Sequence, residues 1–411
     1  MAFSSGAQRD LYYAIEDSFG VPPATLDMTE IRNTEDTVVL ARDNFVSNER
    51  RGDRGIHDMR LGNKQPGGDI NFEFSYASFD DFMAAALCAD YDTSLEDLDD
   101  AWAAPYALTG TSAIDGITVD ATAQTITRAT GSWITDGLRV GDVITIAGFT
   151  EEGPPDETVN NQTTQITDLT ATVITVSSST LEDTASARDD IEFTTSATEV
   201  KKGTTVTSFA VEKVFSDLDT PEYQLYTGGI INGFSLDVSP NGMVTGSFAF
   251  LFQDTENGDS AYHADLTDVN DNRPFDSFTG YINENDTATS VVSSLNFSLD
   301  NGFERNFVLM EDTCPQMTSG KSNVTGSLTA FFSNSTLYNK FVNETESSIE
   351  IAFQDDELNG YVITLPRIKY TSAETPVNSD GAIINTMNFQ ALDDSTELSN
   401  IIIRKQPKIP A

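Results

Sequence analysis

The chain has 411 residues and a mass of 44.6 kDa, more than one small domain needs, and sets 65 Asp and Glu against 23 Lys and Arg for a formal charge of −42. So large an acidic excess excludes a grip on nucleic acid or anionic lipid by bulk electrostatics. With 38% hydrophobic residues, including 25 Phe and 12 Tyr, the chain can build packed cores, which excludes a disordered acidic tail.

In chain order, residues 1–20 lack a basic stretch followed by an apolar run, and no later stretch approaches membrane-spanning length, so a soluble chain without a secretory leader is expected. Residues 49–60 hold Arg50, Arg51, Arg54 and Arg60, the one concentrated basic stretch. Their planar guanidinium forks suit either an intramolecular ion-pair loop or carboxylates of a neighbouring copy, which makes the four arginines candidates for inter-subunit contact. Residues 69–74 alternate apolar and polar, the pattern of a half-buried strand. Ser78 then reads as the N-cap of a helix with Phe79, Phe82, Met83, Ala86 and Leu87 on one face.

From residue 90 to about 198 the composition turns to Thr, Ala, Ile, Val and Asp, with few Lys or Arg. Residues 116–120, 141–148 and 172–176 read as short strands with Gly turns, giving a small all-β module, an open barrel or sandwich. An acidic linker at residues 96–100 and an Asp- and Thr-rich surface suit an appendage that faces solvent. Alternation returns at 233–238 and 246–250. Residues 268–274, Asp-Val-Asn-Asp-Asn-Arg-Pro, read as an acidic linker or as clustered oxygen ligands for Ca²⁺. Gly320-Lys321-Ser322 looks like the end of a phosphate loop, but Pro315 stands where that loop needs glycine, so it reads as a turn. A second, shorter helix is predicted from Ser335, with Leu337 and Phe341 one turn apart.

Catalytic constellations are missing. His57 and His263 are the only histidines, too few for a two-His zinc motif, and close carboxylate pairs are unavoidable at this acidity and carry no signal. Six N-x-S/T triplets follow from composition. Cys88 and Cys314 cannot make a disulfide framework or a cysteine metal site, and they mildly favour a reducing compartment. No catalytic, cofactor or metal residue is assigned, and the chain is read as a non-enzyme.

The two strand-plus-helix segments align without a gap at an offset of 258, which sets Ile70 on Leu328, Phe74 on Phe332, Phe79 on Leu337 and Met83 on Phe341. An offset of 138 sets Tyr223 on Tyr361, Leu225 on Ile363 and Ile230 on Ile368; one of 139 sets Gly242 on Gly381, Val244 on Ile383 and Phe250 on Phe389. The order is the same in both halves, so we read an internal duplication whose first copy carries about 120 extra residues. The expected division is residues 1–90 with 199–265 as a first, discontinuous fold, 91–198 inserted, 266–400 as a second fold and 401–411 as a tail.

Residues 5–13, 44–51, 68–74 with the helix after Ser78, 229–248 and 323–332 together resemble the major tail tube proteins of long, non-contractile-tailed bacteriophages. The resemblance covers both copies and not the insertion. It implies a mainly β chain of two tandem tail-tube-type β-sandwich or barrel folds, each with a flanking helix, plus the small inserted β domain. It further implies a structural virion protein whose sheets join neighbouring subunits into rings, here three-subunit and pseudo-sixfold, that stack into a hollow tube. The implied partners are further copies of the chain, a tape measure protein and tail terminator and tip proteins. DNA would pass through the lumen without specific binding, repelled by luminal carboxylates, with the insertion on the outer face and assembly in the host cytoplasm. The rival expectation is a calcium-dependent adhesive or surface-layer β-protein, motivated by Asp268 and Asp271.

Overall fold

The computed structural model describes residues 3–50, 55–89, 114–134, 136–151, 155–177, 180–285, 287–289, 291–376 and 381–408. The expected acidic linker at 96–100 lies outside them. As the alternating patterns imply, the chain is mainly β, and a hydrogen-bonded network of 19 strands runs through both halves.

The strands that matter are, in chain order, β1 (Arg9–Ile15), β2 (Val39–Val46) and β3 (Met59–Glu73); then, after helix α1 (Asp80–Ala86), β4 (Phe209–Phe215), β5 (Glu222–Val238) and β6 (Thr245–Leu251). The second half supplies β7 (Gly280–Glu284), β8 (Val292–Asp300), β9 (Asn323–Phe331), helix α2 (Thr336–Val342), β10 (Ser347–Gln354), β11 (Gly360–Tyr370), β12 (Ile384–Ala391) and β13 (Ile402–Gln406). Eight of them form one antiparallel run in the order β2–β3–β6–β5–β8–β9–β12–β11. The halves meet inside this run, where β5 pairs with β8 from Gly233 opposite Asp300 to Val238 opposite Leu295.

The neighbour order of the first four strands recurs in the last four, and so do the irregularities. Phe209 pairs with Gly229 and Val211 with Tyr226 across a bulge; Ser347 pairs with Ile368 and Ile349 with Leu365 across a bulge at the matching place. These ladders put β5 on β11 at an offset of 139. The sequence match of Tyr223 with Tyr361 is therefore one residue out, and on a strand one residue exchanges the two faces. Tyr226 and Leu365, the pair at 139, are both buried in the core.

One apolar cluster spans both halves: Phe72, Phe79, Phe82, Phe234 and Phe248 from the first, Leu328, Phe353, Tyr361 and Phe389 from the second. Helix α1 begins at Asp80 with Phe79 at the N-cap, not at Ser78. The Ser78 hydroxyl is already engaged with Ser75 at 2.7 Å and with Asn270 at 3.1 Å, so it cannot turn to the helix. The expected tail at 401–411 instead contributes β13, because the apolar run Ile401, Ile402 and Ile403 is buried between β11 and the strand Thr198–Lys201.

A separate six-stranded sheet lies within residues 117–195 around its own core of Trp133, Ile144, Phe149, Ile166 and Phe193. It is fastened to the second half. Arg404 of β13 forks onto Asp142 at 2.6 and 2.9 Å and donates to the Gly137 carbonyl at 2.9 Å, with both charged side chains almost fully buried.

Candidate functional site

Alternation along the eight-stranded run sends one set of side chains into the core and leaves the other on an open, concave face. The face is lined by Ser235, Ser247, Ser298 and Ser327 with Asn71, Asn296, Asn388 and Gln390, around a shallow hollow of about 790 Å³. Cross-strand hydrogen bonds order these groups: Ser235 to Ser247 at 3.0 Å, Asn296 to Ser327 at 3.0 Å and Asn388 to Ser372 at 2.9 Å. Asp237 is the one charged residue in the lining of the hollow. The hollow itself is dominated by neutral donors and acceptors that hold water, while the same alternation puts Asp69, Glu73 and Asp300 on this face with Asp237, so it offers neither a phosphate-binding charge nor an apolar pocket. Gly246 is required in it, because a Cβ there would come within 2.5 Å of the Ser235 carbonyl and 2.6 Å of the Phe72 ring.

Among the described residues the run has an open edge at β2 and another in the segment that follows β11, β11 itself being paired with β10 and β13. At one end β2 exposes Val39, Leu40, Phe45 and Val46. At the other, the chain continues from β11 along β12, with the Glu374 amide donating to the Thr386 carbonyl at 2.9 Å, and among the described residues nothing pairs with its far side. Unpaired sheet edges bearing apolar groups are templates for another chain.

The junction between halves is built around α1. Tyr361 donates from its hydroxyl to Asp80, and Lys405 reaches the same carboxylate at 2.7 Å. Tyr13 donates to Asp81 at 2.7 Å, and burial, assisted by the charge on Asp80, pushes the Asp81 carboxyl up to about 6. Phe74 stacks on Tyr361 at 5.2 Å, and Phe275 packs against both rings.

Residues 268–274 prove to be a clamp on this junction. Asn270 donates to the Ala77 carbonyl at 2.9 Å and Asn272 to that of Tyr76 at 2.8 Å, while Arg32 gathers the carbonyls of both asparagines. Asp268 and Asp271 are exposed, and among the described residues no cluster of His, Cys, Asp and Glu fits a metal ion. His263 is absorbed by the buried Glu212 at 2.6 Å. Cys88 and Cys314 are free and buried in one apolar cluster with Ile230, Phe303 and Met317.

Of the four candidate arginines, Arg50 and Arg60 are exposed, Arg60 on β3 opposite Phe45, whereas Arg51 and Arg54 lie outside the described residues. The asparagine clamp and the Arg404–Asp142 pair escaped sequence reasoning. The signal for the clamp was present, since asparagine side chains serve backbone groups in irregular segments.

A family model described as phage tail tube protein matches residues 6–391. The chain belongs to that family. No curated protein matches it. As a tail tube protein it is a structural component of the virion tail, a subunit of a tube that stacks on itself, and the family's role is not catalytic. Among the described residues no helix is long and apolar enough to cross a membrane.

Proposed function

We propose that this tail tube subunit is two fused copies of one tube fold, that three chains close a ring of six repeats, and that stacked rings form the tube of a long, non-contractile tail. The single observation that carries the reading is the β5–β8 junction, where the end of one four-stranded set pairs with the start of another of the same order and register. That junction is a template for the contact between chains.

Carried over by the ladder offsets, it sets Ser372, Ala373, Glu374 and Thr375 of one chain opposite Ala41, Leu40, Val39 and Val38 of the next. The burial of Phe234 at the template position matches the placement of Ala373 against the core. Pairing of this kind removes both open edges at once and closes the sheet into a barrel.

The concave face then lines the bore, and DNA slides over a hydrated surface of hydroxyls and amides among which Asp69, Glu73, Asp237 and Asp300 repel the phosphates. The insert between residues 91 and 198 decorates the outer wall, while the tape measure protein and the tail terminator and tip proteins meet the bore and the two tube ends. Assembly takes place in the host cytoplasm.

End-on class averages of the concentrated protein by negative-stain electron microscopy test the reading. Open rings with a six-lobed wall modulated threefold support it; rings of six whole chains, or no rings on concentration, overturn it.

A further inference from the structure

The first half contains a docking event with no counterpart in the second. Phe275, nearly fully buried, inserts beside Phe74: its amide donates to the Phe74 carbonyl at 2.8 Å, and its own carbonyl accepts from Val244 at 2.9 Å. Flanking bridges join Ser75 to Pro274 and Met243 to Asp276. The matching frame exists in the second half, where the Phe332 amide donates to the Ile383 carbonyl at 2.9 Å as Phe74 does to Val244 at 2.8 Å. Yet Phe332 is 40% and Ile383 38% exposed, against 0% for Phe74 and Val244, and no described segment lies over them.

The occupant can be identified from what precedes each first strand. Phe275 stands nine residues before Glu284, which pairs with Ile349; Phe3 stands ten residues before Tyr13, which pairs with Val211 at the matching place. Phe275-Asp276-Ser277 corresponds to Phe3-Ser4-Ser5, and the extra residue falls in the single helical turn Gly6–Gln8. Phe3 is 87% exposed in the single chain, where Ser4 and the Ser5 amide bond Asp217 and the Ser5 carbonyl accepts from the Gln8 amide at 3.0 Å.

We infer that the segment Phe3-Ser4-Ser5 of one copy docks on the neighbouring copy, with Phe3 seated against Phe332 and Ile383 as Phe275 is against Phe74 and Val244. The inference rests on the ring reading above and adds to it a strap that crosses from chain to chain. Burying an aromatic side chain is the largest apolar gain a segment this short can make, so the strap favours the closed ring.

Paired cysteines test it in the full chain. Asp276→Cys with Met243→Cys is the internal control, since the bridge between those positions brings their backbones within disulfide reach. Ser4→Cys with Ala382→Cys is the corresponding pair across chains. The expected result under oxidation is a cross-linked monomer for the control and cross-linked multimers, up to the ring size, for the Ser4/Ala382 pair once assembled. Phe3→Ala should raise the concentration needed for assembly about tenfold, with Phe3→Leu close to the parent. Rings that form normally while the Ser4/Ala382 pair stays uncross-linked and Phe3→Ala is silent would overturn the strap and leave the ring reading intact. A Ser4/Ala382 link formed within dilute single chains would also overturn the strap. Failure of the parent chain to form rings would overturn both.

Discussion

Six of the seven residues of α1 are buried, whereas α2, also seven residues long, buries none. Each follows a strand of the same design and each has its apolar residues at helical spacing. What differs is the company. Phe82 of α1 packs on Tyr13, Phe209, Phe248 and Phe250, the 270–275 segment covers the turn before the helix, and Asp80 ties it to Tyr361 and Lys405 of the other half. Helix α2 rests Leu337 and Phe341 on the core, is anchored by Lys340 to Glu284 at 2.7 Å, and leaves Tyr338 and Val342 in solvent. Helix α1 is thus enclosed by its own half's aromatic rings on one side and tied to the second half on the other, and among the described residues α2 has no such company.

The sharpest way to break this comparison is to remove packing from each helix in turn. Phe82→Ala should cost about 4 kcal/mol of folding stability in denaturant titrations, because the ring's four aromatic neighbours cannot collapse into the void. Val342→Ala on α2 should stay within about 0.5 kcal/mol in the unassembled chain. Equal losses would refute the assigned difference in packing.

The small sheet is fastened to the second half, and that attachment too can be broken. Asp142→Ala removes the carboxylate onto which buried Arg404 forks, leaving Glu199 beside it at 2.6 Å, and should cost about 3 kcal/mol. The measurement is calorimetric: the small sheet, with its own core, should melt separately from the rest in the variant and together with it in the parent.

How much of this was legible in the sequence follows from the range of the forces involved. Strand alternation and the two amphipathic helices are local periodicities, and they were readable. At the strand-plus-helix match at 258, Phe74 and Phe332 make like bonds, to Val244 and to Ile383. The match of Tyr223 with Tyr361 failed by one residue because similar aromatic residues outweighed a register set by cross-strand pairing, which only the ladders reveal. Ser78 failed as a cap because its hydroxyl is taken by Asn270, a residue distant in the chain. The polar hollow was hidden as well: net charge reports totals, and the face on which each acid falls depends on tertiary burial.

Asp81 sharpens the contrast by titration. Its carboxyl, buried beside Asp80, ionises near 6 in the folded chain against 3.8 for a free one. A raised folded value means that its contribution to stability is fully present below about pH 3.8 and is lost as the pH rises through 6. At pH 7.5 the ionised, buried group should therefore cost about 3 kcal/mol. Helix α2 carries Asn339 at the corresponding position. Asp81→Asn, which still accepts from Tyr13, should be more stable than the parent by about that amount at pH 7.5, the gap closing near pH 4. Parallel stability curves for the two proteins would show that Asp81 is not strained by burial.

A small effect on the single chain is expected at the open edge. The Glu374 amide donates inward to Thr386, so by the alternation of an antiparallel ladder the amide of Thr375 points away from β12. Proline lacks that donor and is tolerated on an edge whose donor faces water. Thr375→Pro should thus change stability by less than about 1 kcal/mol in the unassembled chain. In the ring the same amide faces the strand of the next copy around Val38, and its loss adds steric conflict to a missing hydrogen bond. Sedimentation of the concentrated variant should show single chains under conditions where the parent forms rings. Normal rings from Thr375→Pro would mean that this edge does not join the copies, and the β5–β8 junction would then be a feature of the single chain alone.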